Sequence, residues 1–223
     1  PGTLRIKVYN GAELVTEAGP LVVREGPVAG FWGDLHGQSG ETIGTGSIED
    51  YMDFARNKAF LDVTSHQAND FQVNEPFWQH INELTAEFQQ DGRFVTLPGY
   101  EWSGNTGVGG DRNVHYRREG ETIHRSSHAQ IADPADMVDE ESDAHTAHEL
   151  FRKLNGKDCV VLAHIGGRYA DIAYAHDEAL EASVEVHSAW GTFEWVVRDA
   201  FENNFRVGIV ANSDGHKGRP GSC

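Results

Sequence analysis

From residue 29 onward, short apolar strands alternate with helical segments, and nearly every strand ends on a side chain able to bind a metal ion. This double regularity limits the fold more than any single motif does. Strand–helix alternation argues for an α/β domain with a mostly parallel sheet. In a parallel barrel the carboxyl ends of the strands converge on one face, where active sites form. The strand-like runs are 28–35, 61–64, 94–97, 113–116, 160–163, 183–186 and 207–211. The first ends in Asp34-Leu35-His36-Gly37-Gln38 and the second in Thr64-Ser65-His66. The third leads through Pro98-Gly99-Tyr100 to Glu101, and the fourth carries His115. The others end in Ala163-His164, Glu185-Val186-His187 and Asn212-Ser213-Asp214-Gly215-His216. Helices are predicted over 47–59, 76–90, 146–154 and 193–204. Ser47 caps the first, with Asp50 at the capping-box position.

One histidine at a strand end is more often a hydrogen-bonded structural residue than a ligand. Several histidines and carboxylates gathered at one mouth are a different matter, because buried without a cation they would leave unsatisfied polar groups. The chain has two cysteines, neither in a metal or redox spacing, so a metal site here uses nitrogen and oxygen donors. Cys159, in an apolar run, reads as a buried thiol. His80, His124, His128, His145, His148 and His176 fall in polar loops or at helix ends and read as surface residues.

Charge narrows the partners. Acidic residues number 35 against 18 basic, a formal net charge of −17. That field repels nucleic acid and anionic membranes. It leaves room for a small anionic ester, because bound cations reverse the local potential. The acidic run 133–143 reads as a solvated loop. No stretch reaches the roughly 20 apolar residues of a membrane span, and no signal peptide is visible. The compartment stays open, with the cytoplasm favoured, and the oligomeric state is not legible. The chain reads as an excerpt of a longer polypeptide. Residues 1–28 contain strand-like runs at 4–8 and 21–23 and read as the tail of an upstream β element. Residues 29–223 read as the catalytic domain, truncated at its C-terminal end.

The series His36-Gly37-Gln38, Thr64-Ser65-His66, Glu101, His115, His164 and Asp214-Gly215-His216 resembles the PHP (polymerase and histidinol phosphatase) superfamily. The phrases Trp32-Gly33-Asp34-Leu35-His36, Gly99-Tyr100-Glu101-Trp102-Ser103-Gly104 and Ser213-Asp214-Gly215-His216-Lys217-Gly218-Arg219 look like a branch similar to the carbaryl-hydrolase-type enzymes. The resemblance covers about residues 29–221. It implies a distorted seven-stranded (β/α) barrel holding two or three divalent ions, manganese, zinc or iron. By motif, His36, Gln38, Glu101 and Asp214 would hold one ion. Glu101 would bridge to a second on His115 and His164, and His66 with His216 would hold a third. Two departures stand out: the superfamily's usual His-x-His ends here in Gln38, and its Thr-Asp-His carries Ser65. Asn69 and Asp70 lie close enough in sequence to compensate in part.

A metal-activated water attacking a phosphoester is the reaction these residues favour. A carboxyl-ester, carbamate or amide hydrolase on the same metals is the alternative, and a non-catalytic metal-stabilised binding module is a third. Asp34 and His187 are candidate proton carriers or partners of ligand histidines, and Arg168 joins them as a catalytic candidate. Arg112, Lys217 and Arg219 are candidate anion anchors. Trp190, with Glu185, is placed at the mouth. A cationic rim of Arg112, Arg168 and Arg219 would favour phosphate, and an aromatic slot of Trp102, Trp190 and Trp195 an apolar ester.

Overall fold

Helices begin where the sequence supplies caps. The hydroxyl of Ser47 accepts from the Asp50 N–H at 3.1 Å and starts α1 (Ile48–Asp53), which continues into a π-helical turn over Phe54–Lys58. Asn74, followed by Pro76 in the first turn, starts α2 (Glu75–Phe88). Thr146 starts α3 (Ala147–Leu154), and α4 runs over Glu194–Glu202. Caps of this kind are worth about 1 kcal/mol each. The computed structural model describes residues 2–23, 25–26, 30–131 and 140–222. Part of the acidic run 133–143 therefore lies outside the described residues, as do positions 28 and 29 of the first expected strand.

The chain divides into two compact units, Pro1–Phe31 and Trp32–Cys223. The first is a long antiparallel hairpin of β1 (Gly2–Asn10) and β2 (Glu13–Val23), with Asn10 facing Glu13 across the turn. The sequence reading gave two shorter runs, because Gly19-Pro20 looked like a break and is carried inside β2.

In the second unit, β3 (Gly33–Asp34), β4 (Val63–Thr64) and β5 (Val95–Thr96) form a three-stranded parallel sheet. A six-stranded mixed sheet contains β6 (Gly99–Trp102), β7 (Arg112–Tyr116), β8 (Cys159–Ala163), β9 (Glu181–Ser188), β10 (Gly191–Thr192) and β11 (Gly208–Ala211). β6, β7 and β8 pair antiparallel, whereas β8, β9 and β11 pair parallel. This corrects the expectation of a mostly parallel sheet with regular helical crossovers. The link from β6 to β7 spans only residues 103–111, too short for the crossover of a dozen or more residues that a parallel pair needs. Two single bridges join the sheets, Gly37 to Gly215 and Asn69 to Glu101. The fold is thus mixed α/β, with one junction at the expected site residue Glu101 and the other at glycines flanked by the expected ligands His36, Gln38, Asp214 and His216.

Packing follows the amphipathic faces. α2 buries Trp78, Ile81 and Leu84, and Trp78 meets Tyr100 edge to face with ring centroids 5.7 Å apart. α3 adds Leu150, Phe151 and Leu154 to the same core. A second cluster joins Ile165, Ile172 and Val184 to Val196 and Ala200 of α4.

The link from β6 to β7 depends on Gly110, whose φ is 77° and whose side-chain position faces the carbonyl of Tyr169. Gly110→Ala meets both left-handed strain and that collision. It should cost about 2 kcal/mol or more, read as a lower urea midpoint at unchanged m-value.

Candidate metal centre

Glu101, on β6, is a buried carboxylate whose two oxygens face different partners. Oε2 accepts from the Gln38 amide at 2.9 Å and lies 3.6 Å from Nε2 of His36. Oε1 lies 3.6 Å from Nε2 of His164 and 3.6 Å from Nη2 of Arg168, and accepts from the Ser103 hydroxyl at 3.2 Å. The two imidazoles meet edge to face with centroids 4.4 Å apart. Asp214 completes the group, with Oδ1 3.2 Å from Nε2 of His36. Ligand atoms of His36, Glu101 and His164 all fall within 4.8 Å of one another.

This group fits a cation better than it fits itself. Nε2 of His36, Nε2 of His115 and both ring nitrogens of His164 are buried without a hydrogen-bond partner. Buried polar atoms are normally paired, so unpartnered nitrogens around two carboxylates point to a positive ion in the middle. Protonation tells the same story. Burial alone would lower His36, but the carboxylates of Asp214, Glu185 and Glu101 outweigh it and hold the ring well above the usual histidine value. Burial likewise opposes ionisation of Glu101, yet His164 and His36 prevail and hold its carboxyl below the ordinary range. Without a metal, protons balance the charge, and a divalent ion would displace them.

Other expected ligands are placed differently. Gln38 points its NH₂ at Glu101, while its oxygen accepts from the Thr42 hydroxyl at 2.7 Å. The one atom able to bind a metal is therefore engaged elsewhere. His115 is buried on β7, with Nδ1 3.2 Å from the Ser65 hydroxyl. Burial pushes it down to about 3, so it is a neutral donor. His66 is also lowered to about 3 by burial. Its Nε2 sits 2.8 Å from the Ser39 hydroxyl and its ring packs against Tyr51. His216 is partly open, 4.0 Å from Oδ1 of Asp214, beside the half-exposed Trp190. Among the described residues no contact joins His66 to His216.

The supporting residues need correction. Asp34 does not back the ring of His36. Its oxygens accept backbone N–H bonds from His36, Ser213 and Gly221 at 3.3, 3.0 and 2.7 Å, so it shapes the loops. The ring partner is Glu185, 3.1 Å from Nδ1, itself held by the Asn212 amide at 2.6 Å. His187 is exposed and bonds Thr192 at 2.7 Å. The pairing of β9 with β11 slips between Glu185 and His187, and such a bulge re-aims the following side chain. Arg112 is no anion anchor. Fully buried, it donates to Glu181 at 2.8 Å and to the carbonyls of Gly109 and Ala175. Lys217 and Arg219 are exposed beside Lys58 and Asp50, with no contact to Glu101 among the described residues. Nor is there an aromatic slot, because Trp102 is buried and donates to the Ala144 carbonyl at 2.8 Å.

Arg168 alone of the expected cations reaches the site. Asp111 holds its Nε at 2.8 Å and its backbone N–H at 3.1 Å. Burial, then the charge of Glu101, raises Asp111 to about 7 against the pull of His164 and Arg168. Asp111 was missed because Gly109-Gly110-Asp111 reads as a turn. Asp70, buried, spends its carboxylate on the backbone N–H groups of Ser103, at 2.6 Å, and Ser126. Burial raises it to about 6. Of the histidines read as surface residues, His124 and His128 are buried instead, and His176 is partly buried, 2.6 Å from Glu181.

The chain belongs to the family described as a protein of unknown function, DUF3604, whose model matches residues 29–166. An uncharacterised Chlamydia pneumoniae protein is 28% identical over 123 residues, which is 53% of this chain and 20% of that protein. The chain thus spans about a fifth of that relative's length. Two solved structures share the fold. One is a two-domain Bacteroides vulgatus protein containing a predicted PHP-like metal-dependent phosphoesterase (TM-score 0.55, 12% identity, 84% of this chain and 52% of that one). The other is a candidate metal-dependent phosphoesterase from Bifidobacterium adolescentis (TM-score 0.53, 14% identity, 86% and 90%). Among the described residues no helix is long and apolar enough to cross a membrane.

Manganese or zinc bound only by the folded state raises stability by about 2.7 kcal/mol at a hundredfold excess over its dissociation constant. The melting temperature should rise by several degrees. Chelator should abolish the rise, and Glu101→Ala should never show it. Gln38→His adds an imidazole beside Glu101 and should tighten the metal about tenfold, read by competition with a chelating dye.

Proposed function

We propose that this chain carries the catalytic centre of a metal-dependent hydrolase that cleaves phosphoesters. The observation that carries the reading is the buried Glu101 carboxylate set between His36 and His164, where Nε2 of His36 and both ring nitrogens of His164 lack hydrogen-bond partners. We read the strands as the circuit β3–β4–β6–β7–β8–β9–β11, returning to β3 through the Gly37–Gly215 bridge, which is a distorted barrel of PHP type.

His36, Glu101, His164 and Asp214 would hold the metal, and His115 offers a further neutral nitrogen for a second ion. The nitrogen and oxygen donors suit manganese, iron or zinc. Bound there, a divalent ion would supply Lewis-acid chemistry, activating a water and offsetting negative charge on the phosphoryl oxygens. Glu185 accepts from Nδ1 of His36, which fixes the ring and leaves Nε2 free to bind. Gln38 and Ser103 hold the Glu101 carboxylate in one orientation. Arg168, braced by Asp111, offers a positioned guanidinium to an anionic oxygen, which its planar fork suits. That cation favours phosphate over the uncharged carbamate or carboxyl ester.

The test is turnover of p-nitrophenyl phosphate by the manganese-loaded chain, with p-nitrophenyl acetate in parallel. Phosphate turnover should fall by about a hundredfold or more in His164→Ala and in Arg168→Ala. Acetate turnover without phosphate turnover would move the assignment to a carboxyl-ester hydrolase. Bound metal without turnover of either would make the chain a binding module.

A further inference from the structure

A cleft of about 340 Å³ opens beside Glu101. Two of its lining residues touch that carboxylate: Ser103 donates to Oε1 at 3.2 Å, and Nη2 of Arg168 lies 3.6 Å from the same oxygen. The chain has 35 acidic residues, yet none of the described residues lining the cleft is acidic. Its fixed cation is Arg168, with Asp111 behind it and the ring of Phe71 5.2 Å from the guanidinium carbon. The remaining walls are mixed: the Ser126 and Ser127 hydroxyls, the Asn105 and Gln130 amides and the His145 imidazole alternate with apolar surface from Val108 and Ala129. Asp70 binds the backbone of Ser103 and of Ser126 together, so two of the lining segments are tied to each other.

We propose that this cleft seats the alcohol portion of the substrate, and that the substrate is a phosphomonoester of a small, hydroxyl-rich alcohol about the size of a hexose phosphate. The assignment rests on the phosphoester reading above. The volume is at the low end of the roughly 300–1,000 Å³ typical of small-molecule sites, which matches a single small organic group. Hydroxyl and amide walls select a hydroxylated ligand, because an apolar alcohol would bury those groups unpaired. The described lining residues carry no carboxylate and so add no charge repulsion against a phosphate held at Arg168.

The experiment titrates the phosphonate analogue of a hexose 6-phosphate, which cannot be hydrolysed, and methylphosphonate into the manganese-loaded full chain. The sugar phosphonate should bind about tenfold or more tightly than methylphosphonate. Ser127→Trp and Gln130→Trp fill the cleft and should shrink that advantage below about twofold; their fold is checked by the melting shift on adding metal. Equal binding of the two phosphonates by wild type overturns the proposal, as does an advantage that survives in both folded variants. Should a variant fail to fold, the wild-type affinity ratio decides. Binding of neither phosphonate would overturn the phosphoester reading as well, whereas equal binding of both overturns only the cleft assignment.

Discussion

A carboxylate taken out of water must be surrounded by groups that favour its charge, or it will hold a proton instead. Glu101 meets that demand from five directions: Gln38 and His36 at one oxygen, and His164, Ser103 and Arg168 at the other. The partners come from three stretches of chain, His36 and Gln38 after β3, Ser103 after β6, and His164 and Arg168 after β8, so the charge ties the carboxyl ends of three strands to one point. The backbone does the same with very few bonds. Glu101 is bridged to Asn69, and Gly37 is bridged to Gly215, each next in sequence to a proposed ligand, His36 and Asp214. Glu185 extends the network, since Asn212 donates to it and in turn accepts from the Leu35 N–H at 3.0 Å. The site and the closure of the sheets are the same set of contacts.

Much of this was legible because it is local. Ser47 and Thr146 mark helix starts with short-range hydrogen bonds, and α2 and α3 announce their buried faces by spacing. The gathering of His36, Glu101, His164 and Asp214 followed from one rule about strand ends. What was hidden depends on pairing between distant segments. A slip in the β9–β11 register turns His187 outward and leaves Glu185 as the inward acid. Pro98 separates β5 from β6, where a single strand had been expected. Arg112 reads as a free cation until its partner Glu181, 69 residues away, is known. His176 reads as a loop residue until the same Glu181 and the ring of Phe205, stacked on it at 4.0 Å, are in place. Asp70 and Asp111 bind backbone groups, a role that no spacing of side chains encodes.

Asp214 has a left-handed backbone, with φ of 45°, and a buried carboxylate 3.2 Å from His36. Few residues accept that backbone, chiefly glycine, asparagine and aspartate. Of these three, only aspartate brings a negative charge. Glutamate would keep the charge but pay in strain and reach. Asparagine would keep the backbone but surrender the charge. Two unrelated demands, one on the main chain and one on the ligand, therefore intersect in a single amino acid. At position 38 a neutral amide satisfies the contacts it makes, whereas at position 214 aspartate is the one residue that meets both demands.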